Sequence, residues 1–290
     1  MSNQPTLLRR SILAADLAAG WLPRKALIDG TPRVIANGLP KAGTNLILKA
    51  LVEGLGLRRV RWSLYQATAP QGSGPTVTVG IDHPTPAAVN GVRRWLKAVA
   101  PGSVVLAHLP YDETARQLFE EVVTRMVIVV RDPRDVAVSL VSYVLDQPQH
   151  FLHERFVSMP PDERLMHAIR GVDGSGQLLD LRARFDRVLQ WHQWSGAIVT
   201  RFEDLVGPAG GGSTTAQAKA LGSIAAHVNV AMTNAQLREA AGRLFGGTRS
   251  FRRGQIGGWR EYFRPHHADL LKHVTGDLLV ELGYEPSTDW

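Results

Sequence analysis

The stretch NGLPKAGTNLIL, Asn37 to Leu48, follows the apolar run RVIA and decides how the rest of the chain is read. Four residues separate Gly38 from Gly43, the glycine spacing of a phosphate-binding loop, in which a lysine and then a serine or threonine follow the second glycine. Here Thr44 stands in the lysine's place, and Lys41 lies inside the loop instead. A glycine-containing turn between a strand and a helix aims backbone N–H groups and the positive helix end at one point, and Lys41 adds a full charge beside them. The loop is a candidate anion site; the plainer reading is a strand-to-helix turn with a solvated lysine.

Working outward, short β-branched runs alternate with longer helical stretches, which predicts an α/β architecture with parallel strands joined by crossover helices. RVIAN (33–37), SVVLAH (103–108), MVIVV (126–130) and AIVTRF (197–202) read as strands, and a helix is expected from about Asn45 to Leu55. Asp132 followed by Pro133 supplies an N-cap and a first-turn proline, so a second helix should run from there to about Leu145. HHADLLKHVTGDLLVELGY has apolar residues at helical spacing and should pack on the core. Residues 66–80, 158–176 and 207–215 are polar or glycine-rich and read as loops. Composition does not change across them, so residues 33–290 are read as one domain, preceded by an N-terminal helical extension over 1–32 whose residues 6–20 form an amphipathic surface helix.

Composition narrows the chemistry. The chain has 290 residues and no cysteine, which excludes disulfides, zinc-thiolate sites, iron–sulfur clusters and thiol nucleophiles. Its formal charge of +7 suits an anionic partner: nucleic acid, a membrane surface or a multiply charged small ligand. The N-terminal LLRRSILAADLAAGWLP has the paired arginines of an export signal, but Asp16 interrupts a run too short to span a bilayer. A cytoplasmic protein without stable membrane insertion is the expectation.

Two further stretches carry candidate chemistry. In VIVVRDPRDVAVSLVSYV (127–144), Arg131 stands at the carboxyl end of a buried strand, where open α/β sheets bind ligands, and Ser139 lies on the following helix. Arg131 can grip a phosphate with two parallel hydrogen bonds, or serve as half of an ion pair with Asp132 or Asp135. In SFRRGQIGGWREYF (250–263), Arg249, Arg252, Arg253, Arg260 and Arg264 crowd around three glycines that let backbone wrap an anion. Nucleic-acid contact and a solvated basic loop are the competing uses.

Taken together, the three stretches resemble the sulfotransferases that use 3′-phosphoadenosine 5′-phosphosulfate (PAPS). The family's P-K-[ST]-G-T-T loop for the 5′-phosphosulfate is matched by Pro40, Lys41, Ala42, Gly43, Thr44 and Asn45. Its arginine and serine for the 3′-phosphate are matched by Arg131 and Ser139. Its R-K-G followed by G-D-W is matched by Arg252, Arg253 and Gly254 with Gly257, Gly258 and Trp259. The resemblance runs from about residue 33 to residue 284. It implies a P-loop-NTPase-like sulfotransferase fold, three layers with a mostly parallel central sheet flanked by helices. It also implies PAPS as donor co-substrate, no metal requirement, and an acceptor hydroxyl or amine, but it does not name the acceptor. The loops at 63–86 and 146–176, expected to border its pocket, carry no recognisable code; carbohydrate is preferred over lipid-linked glycan or small alcohol, and nucleic acid is not an expected partner.

The family's catalytic histidine lies in a K-T-H-L-P segment, which VLAHLPYDE matches at His108. An imidazole of ordinary pKa about 6.5 can accept the acceptor hydroxyl's proton. Departures are Leu106 for the family's lysine, Ala42 for the loop's serine or threonine, Asn45 for its second threonine and Leu46 for a frequent aromatic. Phe202 matches a tyrosine that contacts adenine in the family; it either offers a face to the base or belongs to the core. His150 with His153, and His266 with His267, lack a third metal ligand at suitable spacing. The rival readings are a P-loop kinase, which predicts a lysine after Gly43, and a nucleotide-binding protein without catalysis.

Overall fold

The computed structural model describes residues 30–64, 70, 72–174, 177–248 and 252–290. The helix expected over 6–20 and Arg249 lie outside them. The strands are β1 (Arg33–Gly38), β2 (Arg58–Arg59), β3 (Thr76–Val79), β4 (Thr85–Ala88), β5 (Ser103–Leu106), β6 (Thr124–Val130) and β7 (Ala197–Arg201). The principal helices are α1 (Thr44–Lys49), α2 (Val89–Ala98), α3 (Glu113–Glu121), α4 (Pro133–Asp146), α5 (Pro161–Arg170), α6 (Leu181–Leu189), α7 (Thr214–His227), α8 (Asn234–Gly242) and α9 (Pro265–Thr275).

Five strands form one parallel sheet in the order β2-β5-β1-β6-β7. Val34 to Ala36 run beside Val104 to Leu106, and Arg33 to Gly38 run beside Thr124 to Val129. Successive residues point to opposite faces, so the sheet has a core on each side. Ile35, Val105, Met126 and Ile128 pack with Leu96, Phe119, Leu140 and Phe185 from α2, α3, α4 and α6. Val34, Val104, Val127 and Val129 pack with Ile47, Leu221 and Leu237 from α1, α7 and α8. This double burial explains the unbroken apolar run of β6 and gives the three layers expected. Among the described residues no helix is long and apolar enough to cross a membrane.

Strand order reverses at β1, whose neighbours β5 and β6 come later in the chain on either side. At such a switch point the two following connections diverge and leave a crevice at the carboxyl ends of the strands. The 38–43 loop, Arg131 and His108 all leave strands at that edge.

Several local expectations change. The helix after the loop is α-helical only to Lys49 and continues as a π-helical turn over Ala50–Gly54. Residues 66–80 are not all loop: T-V-T-V alternates with period two, and β3 pairs with β4 in an antiparallel hairpin. Residues 158–176 contain α5, started by Pro161 at its first turn and buried at Leu165, Ala168 and Ile169, the i, i+3, i+4 pattern of a packed face. The C-terminal helix breaks at Gly276 (φ 57°) and resumes over Leu278–Glu281.

Candidate functional site

A cavity of about 760 Å³ opens at the crevice, and Lys41, Gly43, His108, Arg131, Arg252 and Arg253 lie in its wall. Thr44, Asn45, Ser139, Phe202 and Gly254 line it as well. Eleven of the twelve residues read as site residues from sequence are thus brought together. The twelfth, Ala42, is not: its methyl is fully buried and its N–H donates to the Leu39 carbonyl at 3.0 Å. Ala42 is core under the loop.

The loop's conformation follows from two residues with positive φ. Gly43 (φ 111°) is the N-cap of α1, and a Cβ there would stand 2.8 Å from Phe202 Cδ2. Lys41 also has positive φ (75°), sparsely populated for a lysine. Its ammonium lies 3.8 Å from the centroid of the Tyr143 ring. Burial is the main cause that pulls the Lys41 pKa down to about 8; Arg131 and Arg252 add to this and Asp146 opposes it. A cation held partly desolvated among other cations is poised to bind an anion.

Arg131 leaves β6 with its guanidinium 4.2 Å from the Phe202 ring centroid. Its Nη2 donates to the Gln255 carbonyl at 2.9 Å and faces Asp135 at 3.4 Å, while its buried Nε has no partner. The ion pair therefore goes to Asp135; Asp132 caps α4 and grips Arg134 in a bidentate pair. Phe202, 5% exposed, has the Arg131 guanidinium over its ring and contributes to the core as well as to the cavity wall.

The basic segment is fastened to α4. Asp135 accepts hydrogen bonds from the backbone N–H groups of Gly257 (2.9 Å) and Trp259 (2.8 Å), and Arg134 lies 4.2 Å from the Trp259 ring centroid. This brings Gly254 and the side chains of Arg252 and Arg253 to the cavity opposite the 38–43 loop. Asp146 lies 3.9 Å from Arg252, and Glu261 pairs with Arg253.

His108 follows β5. Its Nδ1 lies 2.7 Å from the Gly38 carbonyl, so that nitrogen carries the proton and Nε2 the lone pair. Asn37, fully buried, exchanges two hydrogen bonds with the Leu109 backbone and so fixes the histidine's segment. Burial lowers the His108 pKa below the ordinary value; the Gly38 bond and Asp82 oppose that, and Lys41 and Arg184 reinforce it. Leu106, two residues earlier, is 7% exposed and packs in the core.

Sequence reasoning assigned no site role to Asn37 or Tyr143, named Asp135 only as a partner for Arg131, and did not single out Asp82, His83, His150 and Phe151 as wall residues within the loops that form the far wall. It also missed a third partner for His266 and His267: the fold brings Asp162 to them. His267 Nδ1 accepts the Arg264 N–H, so its Nε2 carries the proton and donates to the Asp162 carbonyl at 3.2 Å. Asp162 Oδ2 lies 2.7 Å from His266 Nε2. These contacts join α5 to α9.

No family model and no curated protein matches the chain. Solved structures do. A mouse sulfotransferase, SULT7A1, complexed with PAP is 16% identical with a TM-score of 0.54, covering 87% of this chain and 88% of that one. A retinol dehydratase in complex with androsterone and the inactive cofactor PAP is 15% identical with a TM-score of 0.51, covering 85% of this chain and 80% of that one. At these identities the likeness establishes architecture, and the parallel sheet flanked by helices is the P-loop-like fold of the sulfotransferases.

Proposed function

We propose that the protein transfers the sulfuryl group of PAPS to an acceptor hydroxyl or amine. The observation that carries this reading is the convergence of Lys41, Arg131, Arg252 and Arg253 with His108 on one cavity at the switch point of the sheet. The unpartnered Nε of Arg131, buried in that wall, fits an anionic ligand, since a buried donor without an acceptor is otherwise unfavourable by about 1–3 kcal/mol.

The residues divide the work. Lys41, with the backbone of Gly43 and Thr44 at the head of α1, holds the 5′-phosphate; Arg131, Ser139, Arg252, Arg253 and Gly254 hold the 3′-phosphate. His108 takes the acceptor hydroxyl's proton at Nε2 as the acceptor oxygen bonds to sulfur. The bond from sulfur to the 5′-phosphate oxygen breaks, its electron pair stays on that oxygen, and Lys41 neutralises the charge growing there. Basic side chains thereby fill the role that magnesium has in kinases.

The test is binding and turnover. The protein should bind adenosine 3′,5′-bisphosphate (PAP) more tightly than ATP, and should transfer radiolabelled sulfate from PAPS with undiminished rate in EDTA. Preference for ATP, or loss of transfer in EDTA, would overturn the reading. Leu106, an apolar residue at the family's lysine position, favours a second reading, a nucleotide-binding protein without catalysis. PAP binding with no transfer to any acceptor would select it, and a parent that transfers while His108→Ala does not would exclude it.

A further inference from the structure

The cavity extends past His108 to a wall that phosphate binding does not use. The turn between β3 and β4, residues 80–84, is drawn to the end of β5 by the Gly80 N–H, which donates to the His108 carbonyl at 3.0 Å. Gly80 has φ 88°, and a Cβ there would stand 2.3 Å from the His83 carbonyl oxygen, so only glycine makes this tight turn. The turn presents Asp82 and His83 to the cavity.

Asp82 is held by a buried arginine. Arg184, with no exposed surface, donates from Nε to Oδ1 at 2.7 Å and from Nη2 to Oδ2 at 3.0 Å. Its Nη1 is buried without a partner. Each carboxylate oxygen has two lone pairs and gives one to Arg184, which leaves acceptor capacity on a group that lines the cavity. Beside it stands an aromatic wall: Phe151, 36% exposed, has its ring 3.8 Å from His83 and 4.5 Å from His150 between centroids.

We propose that Asp82 determines acceptor specificity, accepting a hydrogen bond from a second hydroxyl of the acceptor, and that the acceptor is a neutral cyclic polyol such as a sugar ring or cyclitol. The inference rests on the sulfuryl-transfer reading of the same cavity. One hydroxyl is directed to His108 and a neighbouring one to Asp82, while the ring's polarised C–H face lies on the aromatic wall, whose π-faces are electron-rich. A flat apolar alcohol could use the wall but would strip water from the carboxylate without replacing its hydrogen bond, which is how sites built for a hydroxyl reject analogues that lack one. Among the described residues an ammonium acceptor meets no unpaired carboxylate in the wall: Asp82 is paired with Arg184, Asp135 with Arg131 and Glu261 with Arg253.

The experiment compares trans-cyclohexane-1,2-diol, cyclohexanol and trans-2-aminocyclohexanol as acceptors for radiolabelled PAPS, with PAP affinity measured alongside. The diol should exceed cyclohexanol in kcat/KM by at least about tenfold after correction for its two hydroxyls. That ratio should fall towards one in Asp82→Asn. Because that change leaves Arg184 short of a counter-charge, Asp82→Asn/Arg184→Gln, which replaces the ion pair by an amide pair, is measured too, and unchanged PAP affinity reports that either variant is folded. Equal use of diol and cyclohexanol by the parent, preference for N-sulfation of the amino alcohol, or a ratio preserved in a folded variant would overturn the proposal. Absence of PAP binding, or of transfer to any acceptor, would instead bring down the sulfuryl-transfer reading and the inference with it.

Discussion

Replacing Asp135 by asparagine tests the assembly of the proposed nucleotide site without touching a residue that contacts phosphate. Asp135 holds Gly257 and Trp259 by two charge-assisted bonds of 2.9 and 2.8 Å, each worth about 1.5–3 kcal/mol. Asparagine retains one acceptor oxygen, so one bond survives as a neutral one, about 1 kcal/mol weaker; the other site now points an NH₂ at an N–H and loses about 2 kcal/mol. The 252–259 segment thus loses about 3 kcal/mol of its preference for the fastened position, roughly a 100-fold change in that equilibrium. Arg131, released from its partner, offers more charge to an anion and works in the opposite direction. At 3.4 Å that pair is longer than either backbone contact, so the segment's release should dominate. The dissociation constant for PAP, measured by isothermal titration calorimetry, should rise about 10- to 100-fold, while circular dichroism of the free protein stays native. A folded Asp135→Asn protein that binds PAP within twofold of the parent would refute the reasoning.

Other outcomes follow from the same geometry. For kcat/KM towards PAPS, the basic limb should fall near pH 8, because Lys41 carries its charge below about 8 and loses it above; a limb beyond pH 10 would show that Lys41 is not the group involved. The acid limb should lie below the ordinary imidazole value, since burial lowers the His108 pKa and keeps Nε2 unprotonated at neutral pH; no acid limb in the parent, or the same limb in His108→Gln, would refute the assignment. Gly43→Ala puts a Cβ 2.8 Å from Phe202 at a φ of 111° and should cost at least about 1–2 kcal/mol of stability and most PAP affinity; a variant with native affinity would refute the loop geometry. Val123, 63% exposed at φ 52°, holds a conformation that asparagine adopts more easily, so Val123→Asn should raise Tm by a few degrees in a thermal melt with PAP affinity unchanged.

The sheet was legible because parallel strands buried on both faces must be continuously apolar, as in Val127 to Val130, and because glycine, proline and Asp132 mark their own turns and caps. The same logic placed Lys41, Arg131 and the 252–254 segment, since each sits where a strand ends or glycines bend the chain. Asp135 was read only as one of two partners for Arg131; its hold on the basic segment escaped because the partners there are backbone N–H groups 122 and 124 residues away, a relation with no local signature. Asn37 escaped for the same reason: its side chain reads as an ordinary strand end until the Leu109 backbone lies beside it. The wall proposed for the acceptor is assembled from a hairpin turn and the residues after α4, with Arg184 of α6 beneath, three places joined only by the fold.

Leu106 shows how a departure from a motif can be read physically. It alternates with Val105 across β5, so the two side chains enter opposite cores, and Leu106 packs in the same cluster as Val127, Val129 and Phe202. A lysine there would have to carry its ammonium out of that core to reach the cavity, because isolated burial of the charge is prohibitive. With leucine in place, Phe202 is packed on that side and has Arg131 over its ring, so the positive charge at this end of the crevice comes from β6 in place of β5. Among the described residues of the wall Lys41 is the one lysine, so the ammonium charge next to the proposed sulfuryl position rests on it. Substitution of Lys41 by methionine should therefore lower kcat by more than about 100-fold, since no second ammonium is present to share the developing charge. A loss below tenfold in a variant that still binds PAP would mean that the arginines reach the leaving oxygen themselves.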